Sequence, residues 1–385
     1  MGMSVALITN GTVGWQGSFG LANDSLQIPV TNQTIFRIAS ISKTVTATAL
    51  LQLWEQGKVD LDSDVSTYLG WELQHPSYPD VPITLRHLLS HQSSIRDGEG
   101  YRTFSREMVA EELDIRELFT ADGDYFTYDI FADHPPGTYF SYTNCTWGII
   151  ASVVEIISGQ RFDDYCRENI FKPMTLDADF NVAKLASINS LAVLYRYEDE
   201  QWKPQADNYP GSTPPTRGYP SYKMGRNGLL FGPQGSLRIS TAGLTEFMLM
   251  LMNHGRDNNH QILKEETVDL MLASQWLYDG QNGDTWENFF LSYGLGTHQT
   301  INQEKGDIIF PDRTMVGHPG IAYGLLSDMY LEREKNSGII FITNGSKQEY
   351  AYGERTSFYQ AEEDVFQVVY PYLLQLEQFS QPSPQ

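Results

Sequence analysis

Hydrophobic residues recur at two different periods along the chain, and the changes of period predict its architecture. Near the N-terminus, strand-like segments over residues 3–9 and 12–20 flank an Asn10-Gly11 pair, which is typical of a β-hairpin. The middle of the chain has apolar residues at steps of three and four, which predicts helices. These helices cover about 40–57, 83–92, 147–159, 162–171, 241–255 and 265–276. The pattern then predicts strands at about 292–299, 307–310, 325–331 and 338–344, and an amphipathic helix over 361–378 before a short polar tail.

Strands at both ends of the chain, with helices between them, favour one sheet built from the two ends. We therefore expect an α/β fold of the α+β type: an antiparallel sheet flanked by helices, with a mostly helical domain inserted. The sheet domain would comprise residues 1–58 and 286–385, and the inserted domain residues 59–285. Residues 195–228 are rich in Pro, Gly and Tyr, which predicts a long loop or a pair of edge strands.

Composition narrows the class of protein. The chain has 385 residues, of which 41% are hydrophobic and 12% aromatic, enough for a globular core. Its net charge of −22 argues against binding to nucleic acid or to an anionic membrane surface. The longest clear apolar run, residues 247–252, is far shorter than the ~20 residues of a membrane span and predicts a buried helix face. The N-terminus has no basic segment, so we expect no signal peptide in this sequence.

The cysteines and histidines do not indicate a metal or disulfide protein. Cys145 and Cys166 are too few for a disulfide scaffold, and two buried free thiols are favoured over a pairing between adjacent helices. His87 and His91 are four residues apart, a spacing that metal sites also use. No third ligand is evident, so structural histidines are the better interpretation.

The candidate chemistry lies where the first predicted helix begins, at Ser40 and Lys43. Residues three apart on a helix are neighbours, roughly 5–6 Å apart at Cβ. A serine hydroxyl is a weak nucleophile until an adjacent base takes its proton, and a lysine amine is such a base if burial lowers its pKa. Taken alone, the pair is a weak signal, because a serine and lysine at this spacing are usually a capping serine followed by a solvated lysine.

Two further motifs make the first one specific. Ser40-x-x-Lys43 is followed about a hundred residues later by Tyr142-x-Asn144, and His318-Pro319-Gly320 precedes the last strands. The ordered set resembles the serine β-lactamase-like superfamily, and within it class C β-lactamases, DD-peptidases, D-aminopeptidases and family VIII esterases. The flanking segments are similar as well, namely 83–94, 136–142, 235–241 and 293–296.

The resemblance implies roles for the first two motifs. Ser40 would be the acylated nucleophile, and Lys43 would take its proton or hold Tyr142 as the anion. Tyr142 would relay the proton to the leaving group and activate water for deacylation. Because the free pKa of tyrosine is ~10, we expect the Lys43 cation to lower it. Asn144 would hydrogen-bond Lys43 and the substrate amide, although a helix-capping role also fits it.

The resemblance assigns substrate binding to the third motif, through His318, Gly320 and the following Ile321. The backbone N–H groups of Ser40 and Ile321 would form the oxyanion hole. β-Lactamases usually carry Lys-Thr-Gly here. Pro319 lacks the strand N–H and the hydroxyl that would hold a substrate carboxylate, and His318 is only partly charged at neutral pH. This departure favours peptidase or esterase chemistry over the binding of penicillins.

We therefore expect a serine hydrolase that acts through an acyl-serine intermediate on an amide or ester. The candidates are a D-amino-acid peptide, a small ester and, more weakly, a β-lactam. The alternatives are a penicillin-binding or sensing protein that is acylated at Ser40 with little turnover, and an acyltransferase. The mechanism needs no cofactor or metal, and its partner is a small-molecule or peptide substrate. The oligomeric state stays open, and the resemblance alone favours a periplasmic or extracellular location.

Overall fold

The computed structural model describes residues 1–109, 112–209, 212–218, 220–348 and 350–379. The strands within these ranges are β1 (Met3–Thr9), β2 (Thr12–Phe19), β3 (Leu21–Asn23), β4 (Ile28–Pro29), β5 (Ile35–Arg37), β6 (Leu194–Glu198), β7 (Gln201–Ala206), β8 (Arg238–Ser240), β9 (Trp276–Leu277), β10 (Ser292–Tyr293), β11 (His298–Gln299), β12 (Val316–Ala322), β13 (Leu325–Glu332) and β14 (Ser337–Thr343). The α-helices there are α1 (Ser42–Glu55), α2 (Ser66–Leu69), α3 (Leu85–Leu89), α4 (Glu99–Glu107), α5 (Thr146–Ser158), α6 (Phe162–Cys166), α7 (Thr241–Met252), α8 (Glu265–Leu272) and α9 (Gln360–Phe379).

An antiparallel sheet of eight strands joins the two ends of the chain. Its order is β2-β1-β14-β13-β12-β11-β10-β9, so the N-terminal hairpin lies beside the last three strands. The hairpin turns at Asn10 and Gly11, which have φ angles of 51° and 70°, as a tight two-residue turn requires. The expected fold class, an antiparallel sheet flanked by helices, is confirmed.

Alternate side chains of the sheet face two separate cores. On β1, Val5 and Leu7 belong to the core beneath α9, whereas Ala6 and Ile8 belong to the larger core on the opposite face. This is the period of two that a strand imposes. The larger core also receives residues of α1, α5 and α7.

Helix α1 lies inside the larger core. Every residue from Ser42 to Leu53 is buried, Lys43 included. A helix that is buried on all sides belongs to the interior of a large domain rather than to its surface. Since an ammonium group is costly to bury, this position already indicates that the Lys43 amine is chemically unusual.

Several predicted elements differ from the observed ones. Residues 307–310 were expected to form a strand and do not. The predicted strand 292–299 consists of two short strands, separated by a turn in which Gly296 has a φ of 72°. The His318–Gly320 motif was expected between strands and lies inside β12. In the region 195–228, β6 pairs with β7, as the edge-strand alternative predicts, whereas the described residues from 207 to 228 form no strand, as the loop alternative predicts.

Parts of two predictions lie outside the described residues. They are residues 210, 211 and 219 of the predicted long loop, and residues 380–385 of the predicted polar tail. The division into domains stays a prediction, and the large sheet also includes β9 at Trp276–Leu277. Within the described ranges, no helix has the length and apolar character needed to cross a membrane.

Candidate active site

Ser40 lies on a short 3-10 helix, Ala39–Ile41, that leads directly into α1. Ala39 has a φ of 43°, in the left-handed region that is uncommon for residues other than glycine. Such conformations persist where the surroundings hold them, often at functional sites. The preceding carbonyl, that of Ile38, accepts a hydrogen bond of 3.1 Å from Ser327 Oγ on β13. The sheet thus holds the backbone that presents Ser40, which is itself only half-buried.

The Lys43 amine is the central polar group of the site. Lys43 Nζ lies 3.0 Å from Ser40 Oγ, 2.8 Å from Asn144 Oδ1 and 3.0 Å from the Gln234 carbonyl oxygen. Complete burial lowers the pKa of Lys43 to about 7, although the negative charge of Asp97 opposes the shift. A neutral amine donates to the two carbonyl oxygens and keeps a lone pair for the Ser40 proton. The geometry therefore suits a general base.

Tyr142 lies beside Ser40 and Lys43 and packs against several aromatic rings. It stacks on Phe290 with ring centroids 4.9 Å apart and meets the edge of Trp286 at 5.1 Å. Lys43 Nζ lies 4.9 Å from the centre of the Tyr142 ring. Burial raises the pKa of Tyr142 far above its usual value, and a contact with the Ser40 hydroxyl opposes the rise only in part. The expectation that Lys43 lowers this pKa is wrong, because desolvation dominates.

Asn144 connects Lys43 to a carboxylate. Its Oδ1 accepts from Lys43, and its Nδ2 donates to Asp97 Oδ2 at 2.7 Å. The capping alternative for its side chain is not the observed arrangement. The N-cap position of α5 is Cys145, and Asp97 Oδ1 accepts from the backbone N–H groups of Asn144 and Cys145 at 2.8 and 2.9 Å.

His318 is fully buried and held on both ring nitrogens. Because the Pro319 carbonyl oxygen only accepts, His318 Nδ1 carries a proton and donates to it at 2.6 Å. His318 Nε2 then accepts from the Tyr293 hydroxyl at 2.9 Å. Burial and the nearby Lys43 lower the pKa of His318 well below its usual value. The ring is therefore neutral at pH 7 rather than partly charged.

Gly320 and Ile321 lie where β12 passes the 3-10 helix. A Cβ on Gly320 would lie 2.4 Å from the Ile38 carbonyl oxygen and 3.2 Å from the Ala39 Cβ, so only glycine permits this approach. Ile321 is half-buried and pairs with Leu326 of β13. The strand and the Ser40 turn thus meet, and the assignment of their N–H groups to an oxyanion hole stays a prediction.

The structure brings most of the expected site residues into contact. Ser40, Lys43 and Asn144 form one hydrogen-bonded chain, and Tyr142 covers Lys43. The His318 ring lies beside the Tyr142 ring, with ring centroids 6.0 Å apart, and so borders these residues.

The His87 and His91 pair does not share a helix face. His87 belongs to α3, whereas His91 follows the helix with a φ of 58°. The His91 ring lies beneath Tyr142, with centroids 4.4 Å apart, and its Nδ1 accepts from the Thr143 N–H. Among the described residues, no group of three or more His, Cys, Asp or Glu side chains is placed to hold a metal ion.

Sequence reasoning missed Asp97 and Trp286. Asp97 stands in a loop with no periodic pattern, and only its contacts across the fold reveal its position. Trp286 begins a left-handed turn with Glu287 and Asn288, whose φ angles are 48°, 57° and 67°. Ser357 Oγ donates to the Glu287 carbonyl oxygen and holds this turn, which presents a half-exposed Trp286 to Tyr142.

The fold, with a serine–lysine pair at the start of a buried helix, defines a serine hydrolase of the β-lactamase-like class. The chain belongs to the Beta-lactamase family, whose model matches residues 1–361. This confirms the resemblance and supports a serine hydrolase at the level of the family.

Three relatives illustrate the range of the family. The chain is 25% identical to penicillin-binding protein 4 of Amycolatopsis lactamdurans over 93% of its length and 82% of that protein. It is 28% identical to the D-aminopeptidase of Gluconobacter oxydans over 54% of its length and 38% of that protein. The solved structure of D-amino acid amidase from Ochrobactrum anthropi has the same fold, with a TM-score of 0.65 and 20% identity over 99% of this chain and 94% of that one.

Proposed function

We propose that this protein hydrolyses an ester or amide through an acyl-Ser40 intermediate, with Lys43 as the base for Ser40. The observation that carries the proposal is the 3.0 Å contact between Lys43 Nζ and Ser40 Oγ. Burial lowers the pKa of this amine to about 7, so a large fraction is neutral at physiological pH. A base is most effective when its pKa lies near the working pH.

The proposed proton path is supported by the contacts that Lys43 Nζ and the Tyr142 hydroxyl each make with Ser40. Ser40 Oγ bonds to the substrate carbonyl carbon while its proton passes to Lys43 Nζ. The backbone N–H groups of Ser40 and Ile321 stabilise the resulting oxyanion. When the bond to the leaving group breaks, the Tyr142 hydroxyl donates its proton to that group and regains one from Lys43. Tyr142 acts as a neutral relay, because its raised pKa disfavours the anion. Water then attacks the carbonyl carbon of the acyl-enzyme, and its proton passes through Tyr142 to Lys43. Lys43 returns a proton to Ser40 Oγ as the acid is released.

The third motif favours substrates without a carboxylate next to the scissile bond. His318 is neutral and already bonded on both nitrogens, so it offers no charge to a carboxylate. Pro319 supplies neither an N–H nor a hydroxyl. A small ester or the amide of a D-amino acid fits this site better than penicillin. The D-aminopeptidase among the relatives supports the second of these choices.

Intact mass after reaction with a fluorophosphonate, and separately with benzylpenicillin, tests the proposal. A fluorophosphonate adduct should form on the wild type and be absent from Ser40→Ala, whose circular dichroism should be unchanged. No adduct on the wild type would refute the proposal. A lasting penicillin adduct would support a penicillin-binding protein with little turnover instead.

Turnover assays separate the substrate classes. p-Nitrophenyl acetate reports esterase activity, and D-alanine p-nitroanilide, with the L-isomer as control, reports amidase activity. Tyr142→Phe should slow turnover by about 10²–10⁴-fold, since it removes the proton relay while leaving the ring in place. An unchanged rate in Tyr142→Phe would remove Tyr142 from the mechanism.

A further inference from the structure

Asp97 makes four hydrogen bonds to the segment that carries the second motif. Its Oδ1 accepts from the Asn144 N–H at 2.8 Å, the Cys145 N–H at 2.9 Å and Thr143 Oγ1 at 2.9 Å. Its Oδ2 accepts from Asn144 Nδ2 at 2.7 Å. One oxygen therefore holds the backbone at the start of α5, and the other holds the Asn144 side chain.

The second of these contacts fixes which way the Asn144 amide faces. A carboxylate only accepts hydrogen bonds, so the amide nitrogen of Asn144 must face Asp97. The amide oxygen is then forced toward Lys43 Nζ, from which it accepts at 2.8 Å. If the amide were reversed, its NH₂ group would face the Lys43 amine, and the contact would no longer hold that amine against Ser40.

We propose that Asp97 is a positioning residue for acylation: it orients Asn144 so that Asn144 holds the Lys43 amine in line with Ser40 Oγ. The inference rests on the proposed function, in which Lys43 takes the Ser40 proton. Asp97 makes no hydrogen bond to Ser40 or Lys43. It controls the geometry of the Lys43 base through Asn144.

Asp97 also supplies negative charge close to Lys43. The other titratable groups around the amine are Tyr142, His91 and His318. Burial raises the pKa of the tyrosine and lowers those of the histidines, so all three are uncharged at neutral pH. Asp97 raises the pKa of Lys43 against its burial. Removal of this charge should shift the pH dependence of acylation to lower pH.

The variant Asp97→Asn separates orientation from helix capping. Its remaining carboxamide oxygen still accepts from the backbone N–H groups at the start of α5. Its NH₂ group now faces the NH₂ group of Asn144, and the clash is relieved when the Asn144 amide reverses. The exchange Asp97→Asn with Asn144→Asp restores a donor–acceptor match and returns an acceptor to Lys43.

The test measures the rate of fluorophosphonate labelling of Ser40 from pH 5 to 10, with folding followed by circular dichroism. Asp97→Asn should label at least tenfold more slowly than the wild type, and the rising limb of its profile should move to lower pH. The exchange variant should regain speed at alkaline pH. The rising limb of its pH profile should lie at higher pH than that of the wild type, because a carboxylate then contacts Lys43 directly. Asp114→Asn is the matched control, since Asp114 caps the helical turn at Ile115–Leu118, and it should label like the wild type.

Two results would overturn the inference. In the first, Asp97→Asn is labelled at the wild-type rate and the rising limb of its pH profile does not move. In the second, the exchange variant is labelled no faster than Asp97→Asn at any pH. If Asp97→Asn alone does not fold, a folded exchange variant with the raised limb supports the inference. An exchange variant that does not fold, or folds and does not label, overturns it. A wild type that is not labelled at Ser40 refutes the proposed function itself, which is a separate outcome.

Discussion

A single methyl group at Gly320 would test how closely the third motif must approach the Ser40 turn. A Cβ there would lie 2.3 Å from Ser327 Oγ and 2.4 Å from the Ile38 carbonyl oxygen. Gly320 does not have a positive φ, so the demand for glycine comes from space and not from backbone conformation. The Ser327 hydroxyl can rotate away, but the Ile38 carbonyl belongs to the backbone that leads into Ser40.

The size of the effect follows from the overlap. Carbon and oxygen atoms in close contact are ordinarily ~3.3 Å apart, so β12 and the Ile38 backbone must separate by ~1 Å in Gly320→Ala. Overpacking of this kind typically costs about 1–3 kcal/mol of the free energy of unfolding. A displacement on the order of 1 Å at a reacting centre slows the reaction about 100-fold. We therefore expect Gly320→Ala to lose both stability and reactivity.

Urea unfolding measures the first effect, and the rate of fluorophosphonate labelling measures the second. Gly235→Ala is a suitable control, because a Cβ on Gly235 has its nearest neighbour, a backbone atom of Ala39, 3.8 Å away. The control should stay within about 0.5 kcal/mol of the wild type. Wild-type stability and labelling in Gly320→Ala would refute the argument that the close approach of β12 shapes the site.

Three further predictions concern other parts of the molecule. Asp328 is buried, and burial together with Glu362 raises its pKa, so the folded state retains a proton that the unfolded state loses above about pH 4. The free energy of unfolding should therefore fall as pH rises from about 4, by up to ~1.4 kcal/mol per pH unit. Urea unfolding at pH 5 and pH 8 measures this fall. A fall of the same size in Asp328→Asn would contradict the assignment to Asp328. Cys145 and Cys166 are free, buried thiols with raised pKa values, so a disulfide reagent should modify them only after unfolding, and rapid modification of the folded protein would exclude this burial. Trp286→Ala should lower kcat/KM for aromatic acyl esters about tenfold more than for acetyl esters, whereas Trp286→Phe, which keeps an aromatic ring, should lower both equally little. Equal losses for both esters in Trp286→Ala would mean that the ring does not contact the acyl group.

Local spacing predicted the core of the site well. The interval of three between Ser40 and Lys43 puts both at the start of one helix, where the structure joins them by a hydrogen bond. Spacing says nothing about Asp97, whose contacts with Asn144 span 47 residues and depend on how α5 packs against the preceding loop.

The sheet position of the third motif was misjudged for a physical reason. Proline and glycine usually interrupt strands, so His318–Gly320 was expected between two of them. In the structure, β11 pairs with β12 only at Val316 and Gly317, whereas β13 pairs along the whole of β12. From His318 onward, β12 lacks β11 as a partner on one side, so the missing N–H of Pro319 breaks no pairing with β11.

Burial explains why the expected direction of the Tyr142 pKa shift was wrong. The expectation for Tyr142 was that a nearby Lys43 cation would lower its pKa. Lys43 is completely buried and Tyr142 is half-buried among aromatic rings, and desolvation disfavours the charged form of each: it lowers the pKa of the amine and raises that of the phenol. The two shifts leave the phenol neutral and a large fraction of the amine neutral near pH 7. Proton transfer from Ser40 must therefore go to the lysine, and the rising limb of a pH–rate profile should lie near 7, where Lys43 titrates.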